Sequence, residues 1–146
     1  MTVTYEEMKA QFKRILMKKG FTEEGAEDAA ALFAQNSLCG KFSHGLNRFP
    51  RVVRYLGEGS IDPHVVPTTE ISLGADERWN AHRGFGPLNA KLAMDRACTL
   101  AKQYGIGIVA LGNNNHWMRG GSYGFQAADN GCIGICWSNT CPNMPA

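Results

Sequence analysis

What this 146-residue sequence lacks first is charge of one sign. Fifteen Lys and Arg stand against 13 Asp and Glu, a formal net charge of +2. So even a balance excludes the dense basic face that nucleic acid or an anionic membrane surface requires. No apolar run approaches the ~20 residues of a membrane-spanning helix, which excludes an integral helical membrane protein. The opening stretch MTVTYEEMKA has no basic-then-apolar order, so no secretion signal is read there and a cytoplasmic chain is expected. Internal repeats and low-complexity tracts are also missing. With 44% hydrophobic and 19% charged residues, the composition is that of a globular chain and not of a disordered one. The length matches roughly one domain.

Several chemical signatures are missing as well. The glycine-rich Gly120-Gly121-Ser122-Tyr123-Gly124 has neither the Rossmann fingerprint nor the P-loop lysine, and alone is a weak phosphate signal. There is no Ser-His-Asp triad and no pair of carboxylates with useful spacing. The five cysteines are odd in number and lack a secretory context, which argues against a disulfide framework. Cys132, Cys136 and Cys141 are the one candidate metal set. Cys132 to Ser138 reads as a strand, however, and on a strand positions four apart sit roughly 13 Å from each other. Zinc needs both sulfurs about 2.3 Å from one point, so these cysteines read as buried structural thiols with no metal.

What is present begins with helix signals. Thr4 and Glu7 form a capping box ahead of Tyr5, Met8, Phe12, Ile15 and Leu16 at helical spacing, and Gly20 stops the run. Thr22 caps a second helix with Glu23 and Glu24 in its first turn. Ala26, Ala29, Ala30, Phe33 and Ala34 form its apolar face up to Gly40, predicting a helical hairpin. Pro50 belongs in a first turn, so a third helix is expected from about Asn47 to Gly57, with His44 in its entry loop. Two short strands are expected at Glu70–Leu73 and Arg78–Ala81 around a turn at Gly74. A fourth helix follows Gly86-Pro87, with Leu88, Leu92, Ala93, Ala97, Leu100, Ala101 and Tyr104 as its apolar positions and Gly105 as its end. Ile106–Leu111 reads as a buried strand, Ser122–Asn130 as a short helix.

Polar chemistry concentrates in two loops. The first carries Ser43, His44, Asn47 and Arg48; the second carries Asn113, Asn114, Asn115, His116 and Arg119. Histidine titrates near neutrality, so His44 or His116 can exchange a proton with a substrate. The planar fork of Arg48 can hold a carboxylate. Together these residues suit reduction of a 2-oxo acid. The plainer reading has His44 bonded to nearby backbone, Arg48 solvated beside Arg51 and Arg54, the asparagines making local turn bonds, and Trp117 and Trp137 packing a core. His64 and His82 read as surface residues.

Ser43-His44-Gly45-Leu46-Asn47-Arg48-Phe49-Pro50 resembles the SHG-x-x-R segment of the malate/L-lactate dehydrogenase-like oxidoreductases, a family without a Rossmann fold. Asn113 to Gly124 resembles that family's second signature, and the likeness runs in order along the whole chain. The resemblance implies an α/β (α+β) fold: an N-terminal helical hairpin and the start of a mixed, non-Rossmann NAD(P)-binding sheet. It implies a homodimer that uses NADH or NADPH to reduce a 2-oxo acid, or to oxidise a 2-hydroxy acid. It places His44 at the proton donor, His116 at a second active-site histidine, Arg48 at the substrate carboxylate, and Ser138 and Asn139 on the cofactor side. The acid and polarising roles stay open between His44 and His116. Residues 1–60 are read as a helical region bearing the first motif, and 61–146 as the first part of the cofactor-binding domain. Members of the family run to well over twice this length, so the chain is expected to be the front of a larger enzyme, with an unpaired sheet edge and exposed apolar surface. The alternative is a catalytically inactive, truncated remnant that serves as a binding or dimerisation module.

Overall fold

The computed structural model describes residues 2–139. Helix α1 spans Tyr5–Lys18 and α2 spans Glu23–Leu38. Both start where the sequence says. Thr4 Oγ1 accepts from the Glu7 amide while the Glu7 carboxylate accepts from the Thr4 amide, and Thr22 caps α2 by accepting from the Gly25 amide. The two pack as a hairpin because Phe12 and Leu16 face the alanine stripe of α2, whose small side chains let the helices approach closely. Lys9 and Lys13 reach Glu27 across the outside of the pair at 2.6 and 3.0 Å. Exposed pairs of this kind are worth at most about 1 kcal/mol, so burial carries the hairpin.

A 3₁₀ turn at Phe42–His44 leads into α3, Phe49–Gly57, with Arg48 as its N-cap and Pro50 in its first turn. The helix starts two residues later than the expected Asn47, because Gly45 and Asn47 close turns back onto Phe42. Phe49 is buried against Phe12 and Phe33, with ring centroids 4.2 and 5.1 Å away. Phe33 and Phe85 continue the aromatic cluster at 6.3 Å, and Phe21 meets Phe85 edge-on at 5.2 Å. Ile61, Phe85 and Met118 belong to this same core, so the loops after α3 are tied to the hairpin by burial.

Strands β1 (Thr68–Leu73) and β2 (Asp76–Asn80) form an antiparallel hairpin with an irregularity between Thr69 and Ile71. Helix α4, Gly86–Tyr104, then crosses back so that β3 (Ile108–Gly112) lies parallel to β2. The result is a three-stranded mixed sheet in the order β1-β2-β3. Buried Glu77 on β2 joins the sheet to α4: Arg96 donates to it from Nε and from a terminal nitrogen at 3.1 and 2.6 Å, and Trp79 Nε1 donates at 3.0 Å. Helix α5, Gly120–Asp129, closes the described chain with a segment along its side.

Three expectations are corrected. Strand β3 is not fully buried: its residues alternate between exposed and half-buried, and Ile106 and Ile108 face solvent. A parallel strand is buried only where both faces are covered, and α4 covers one. On α4, Leu92 and Tyr104 are likewise exposed, and the helix buries a narrower stripe through Ala93, Cys98 and Leu100. Cys132 bends away from the end of α5, and residues 133–138 join no strand among the described residues. They lie against α5 instead: a Cβ on Gly134 would sit 2.8 Å from the Ala127 methyl and 3.1 Å from Gly124 Cα. Ile133, Ile135 and Trp137 point outward, so Trp137 is not the core residue of the plainer reading. Cys132 and Cys136 are half-buried free thiols, and Cys141 lies outside the described residues. Among the described residues no helix is long and apolar enough to cross a membrane, and no three His, Cys, Asp or Glu side chains gather to hold a metal.

Candidate active site

The first loop is held by the end of α2. Ser37 lies on the same stripe as Phe33 and Ala34 and is buried. Its hydroxyl donates to the Phe33 carbonyl and accepts from the Leu46 amide, both at 2.8 Å. A Cβ on Gly45 would come within 2.3 Å of that hydroxyl, so only glycine lets the loop pass over Ser37. Asn36, 1% exposed, donates to the His44 carbonyl at 3.1 Å. Local loop geometry and buried Phe49 therefore fix His44 and Arg48 from both sides.

The second loop is held from β2, α4 and α5. The Asn115 side-chain amide donates to the carbonyls of Arg83, Gly84 and Ser60 at 2.6, 3.0 and 3.2 Å. Asn89 donates to Asn114 at 3.0 Å, and Asn113 to Asn80 at 3.3 Å. The asparagine triplet thus makes long-range bonds, not the local turn bonds of the plainer reading. The Tyr123 hydroxyl donates to the Trp117 carbonyl at 2.5 Å, with the two rings stacked at 5.4 Å. Gly86, at the start of α4, lies directly under the loop: a Cβ there would be 2.2 Å from the Asn115 carbonyl oxygen and 2.6 Å from that of His116.

These two anchorings bring His44, Arg48 and His116 together. The imidazole centroids of His44 and His116 are 5.7 Å apart. Burial, and then the Arg48 charge, hold the pKa of both rings below the ordinary histidine value, and His44 adds to the effect on His116. Both rings are therefore predominantly neutral at pH 7. Among the described residues Arg48 Nε is buried with no hydrogen-bond partner, and the guanidinium makes no ion pair. Arg48 as a whole is half-buried, and a buried N–H left without an acceptor is costly, so this group is open to an anionic ligand. Ser43 Oγ lies 2.9 Å from His44 Nδ1, which leaves Nε2 of that ring free. The Met118 amide donates to His116 Nδ1 at 3.0 Å, so this nitrogen carries the lone pair and the ring proton is on Nε2.

Ser138 and Asn139 are both exposed at the end of the segment beside α5. None of the hydrogen bonds that shape the two loops reaches them. Arg119 stays at the α5 N-terminus, over the Phe125 ring at 5.8 Å, and not in the cluster. His64 and His82 are exposed and apart from the site; His82 instead pairs with the Thr68 hydroxyl at 2.8 Å. Asn36, Ser37, Met118 and Tyr123 hold the site without having been singled out from the sequence. Ser37 was visible as a polar residue continuing the 26-29-30-33-34 apolar stripe; nothing local marks the others.

The fold is shared with proteins of known structure. Malate dehydrogenase from Pyrococcus horikoshii OT3 superimposes with a TM-score of 0.86 at 29% identity, over 90% of this chain and 38% of that one. Sulfolactate dehydrogenase from Methanocaldococcus jannaschii gives 0.85 at 32% identity, over 88% and 38%. Residues 3–146 match the malate/L-lactate dehydrogenase family model, and the chain belongs to that family. Among its curated relatives, the 2,3-diketo-L-gulonate reductases of Mannheimia succiniciproducens and Haemophilus influenzae are 54% and 52% identical over 145 residues. The chain spans less than half their length: the match covers 99% of this chain and 44% of each relative.

Proposed function

We propose that these residues form the substrate side of a reductase that acts on the 2-oxo group of a sugar-derived acid, with 2,3-diketo-L-gulonate as substrate and 3-dehydro-L-gulonate as product. The names of two curated relatives, 52% and 54% identical, support that substrate. The observation that carries the reading is Arg48, its Nε unpartnered among the described residues, beside two neutral imidazoles. Arg48 pairs with the substrate carboxylate through its planar fork. This sets the adjacent carbonyl between the two rings.

The histidines then divide the work. His116 has its Nδ1 occupied by the Met118 amide, so taking up a proton there would break that bond. It stays neutral and polarises the carbonyl oxygen with its Nε2–H. His44 is free at Nε2 and has at Nδ1 a hydroxyl that can accept as well as donate. It binds a second proton and delivers it to the oxygen. Burial first, and then the Arg48 charge, hold the His44 pKa down; the substrate carboxylate on Arg48 offsets the second of these, so His44 gains its proton together with substrate. A reduced nicotinamide, NADH or NADPH, supplies the hydride when bound. Ser138 and Asn139, a hydroxyl and an amide both open to a ligand, fit a polar contact with it. The same reading takes the chain as one subunit of a homodimer, which the outward-facing Ile133, Ile135 and Trp137 support.

The test is consumption of NADH and NADPH with 2,3-diketo-L-gulonate, run beside simple 2-oxo acids. His44→Gln is expected to lower kcat by about 10²–10⁴-fold with KM little changed. Unchanged kcat in that variant overturns the role of His44.

A further inference from the structure

Met118 combines three properties that rarely meet. Its backbone lies in the left-handed region at φ +66°, a conformation that a long side chain adopts uncommonly. Its side chain is 4% exposed and belongs to the same core as Phe12, Phe33, Phe49 and Phe85. Its amide donates to His116 Nδ1, two residues back. A glycine would reach the same backbone conformation without the Cβ penalty, and a flexible loop would leave it. Such a backbone persists only where the surroundings over-determine it. The neighbouring residues bound the loop on one side, through Asn115 on the carbonyls of 83 and 84 and through Tyr123 on the Trp117 carbonyl. The buried thioether is what pulls it toward the hairpin on the other.

We propose that Met118 is a positioning residue: its side chain, seated in the helical core, holds the left-handed turn whose N–H keeps His116 in the Nε2–H tautomer and fixes the direction of its donor. The inference rests on the reading of His116 as the group that polarises the carbonyl. It makes the aromatic core of α1–α3 part of the apparatus that aims an active-site donor. The charged and titratable groups that face the His116 ring are Arg48 and His44, and neither bonds to its Nδ1. Among the described residues the Met118 amide is thus the N–H that bonds to His116 Nδ1, and it sets the tautomer.

The test uses ¹⁵N-histidine NMR at about pH 8, where free imidazole is neutral. The chain has four histidines, so His116 is assigned by a single His116→Gln variant. The unaltered protein is expected to show the two His116 ring nitrogens far apart, with the proton on Nε2. It should also show coupling across the hydrogen bond between the Met118 amide and Nδ1. In Met118→Ala, which keeps the Cβ penalty and loses the buried thioether, the two ring-nitrogen resonances draw together as the tautomers mix, and Met118→Leu restores their separation. Ring shifts in Met118→Ala equal to those of the unaltered protein, alongside a lower Tm, would reduce Met118 to a packing residue and overturn the proposal. If Met118→Ala does not fold, the coupling decides: its absence in the unaltered protein overturns the proposal. A locked tautomer in an enzyme whose kcat is indifferent to His44→Gln would instead count against the functional reading and leave Met118's role standing.

Discussion

Glycine-to-alanine at two helical positions separates the roles of close approach and helix propensity. At Gly86 the new methyl carbon would be 2.2 Å from the Asn115 carbonyl oxygen, 2.6 Å from that of His116 and 2.7 Å from the Asn115 carbonyl carbon. All three are backbone atoms, and the loop that owns them is pinned by the three Asn115 bonds, so no flexible side chain can swing aside. Overpacking of this kind costs about 1–3 kcal/mol, against at most about 1 kcal/mol gained from helix propensity. For a chain of this size each kcal/mol is worth about 3 °C in Tm, so Gly86→Ala should melt several degrees lower. Gly124, in the middle of α5, has open space where its Cβ would go. Gly124→Ala should therefore keep most of the propensity term and melt about 2–3 °C higher. The second consequence is local. The displaced atoms at Gly86 are those that carry His116, and in the role proposed for that ring a shift near 1 Å costs on the order of 10²-fold in rate. Differential scanning calorimetry reads the first effect, and kcat, or the His116 ring resonances, the second. Equal melting of Gly86→Ala and the unaltered protein, with His116 unmoved, would refute the claim that α4 and the histidine loop are packed backbone to backbone.

Three further outcomes follow from the site. Arg48→Lys exchanges a planar fork for a point charge and should raise KM for the acid about 10–100-fold while kcat falls less; steady-state kinetics with an unchanged KM would remove Arg48 from the substrate site. Both histidines are held below their ordinary pKa of 6.5, so the unfolded chain binds more protons than the folded one just below that pH. Stability should therefore rise with pH up to about 6.5 and level off above it, and denaturation midpoints should lose part of this slope in a His44→Gln/His116→Gln double variant. Ser37→Ala strips the Leu46 amide of its acceptor and should cost about 1–3 kcal/mol in urea unfolding, whereas Ser37→Thr keeps the hydroxyl and should retain part of it.

The sequence by itself determined the elements whose causes are local. The Thr4–Glu7 capping box, the Thr22 cap, Pro50 in a first turn and Gly105 in the left-handed region at the end of α4 each act within a few residues; α1, α2 and α4 begin or end where these residues place them, and α3 begins two residues later than Pro50 suggested. The family was legible in the same way, because its two motifs are continuous stretches. Local signals failed where burial depends on distant partners. Ile106–Leu111 is an apolar run in any context, but only the tertiary arrangement leaves one of its faces uncovered. Cys132–Ser138 alternates like a strand, but a strand also needs a neighbour to bond, and this segment found the side of α5. The site divides along the same line. Histidine and arginine in two polar loops marked the chemistry, because side-chain type alone sets what a group can donate or hold. That the loops meet, that Arg48 Nε is left without a partner among the described residues, and that His116 carries its proton on Nε2 were decided by the folded arrangement: Asn36 and Ser37 under one loop, Gly86, Asn115, Met118 and Tyr123 around the other. The Asn115 bond to Arg83 joins residues 32 positions apart, and the remaining bonds, though they span few positions, depend on how each loop is folded over its helix, which residue spacing does not encode.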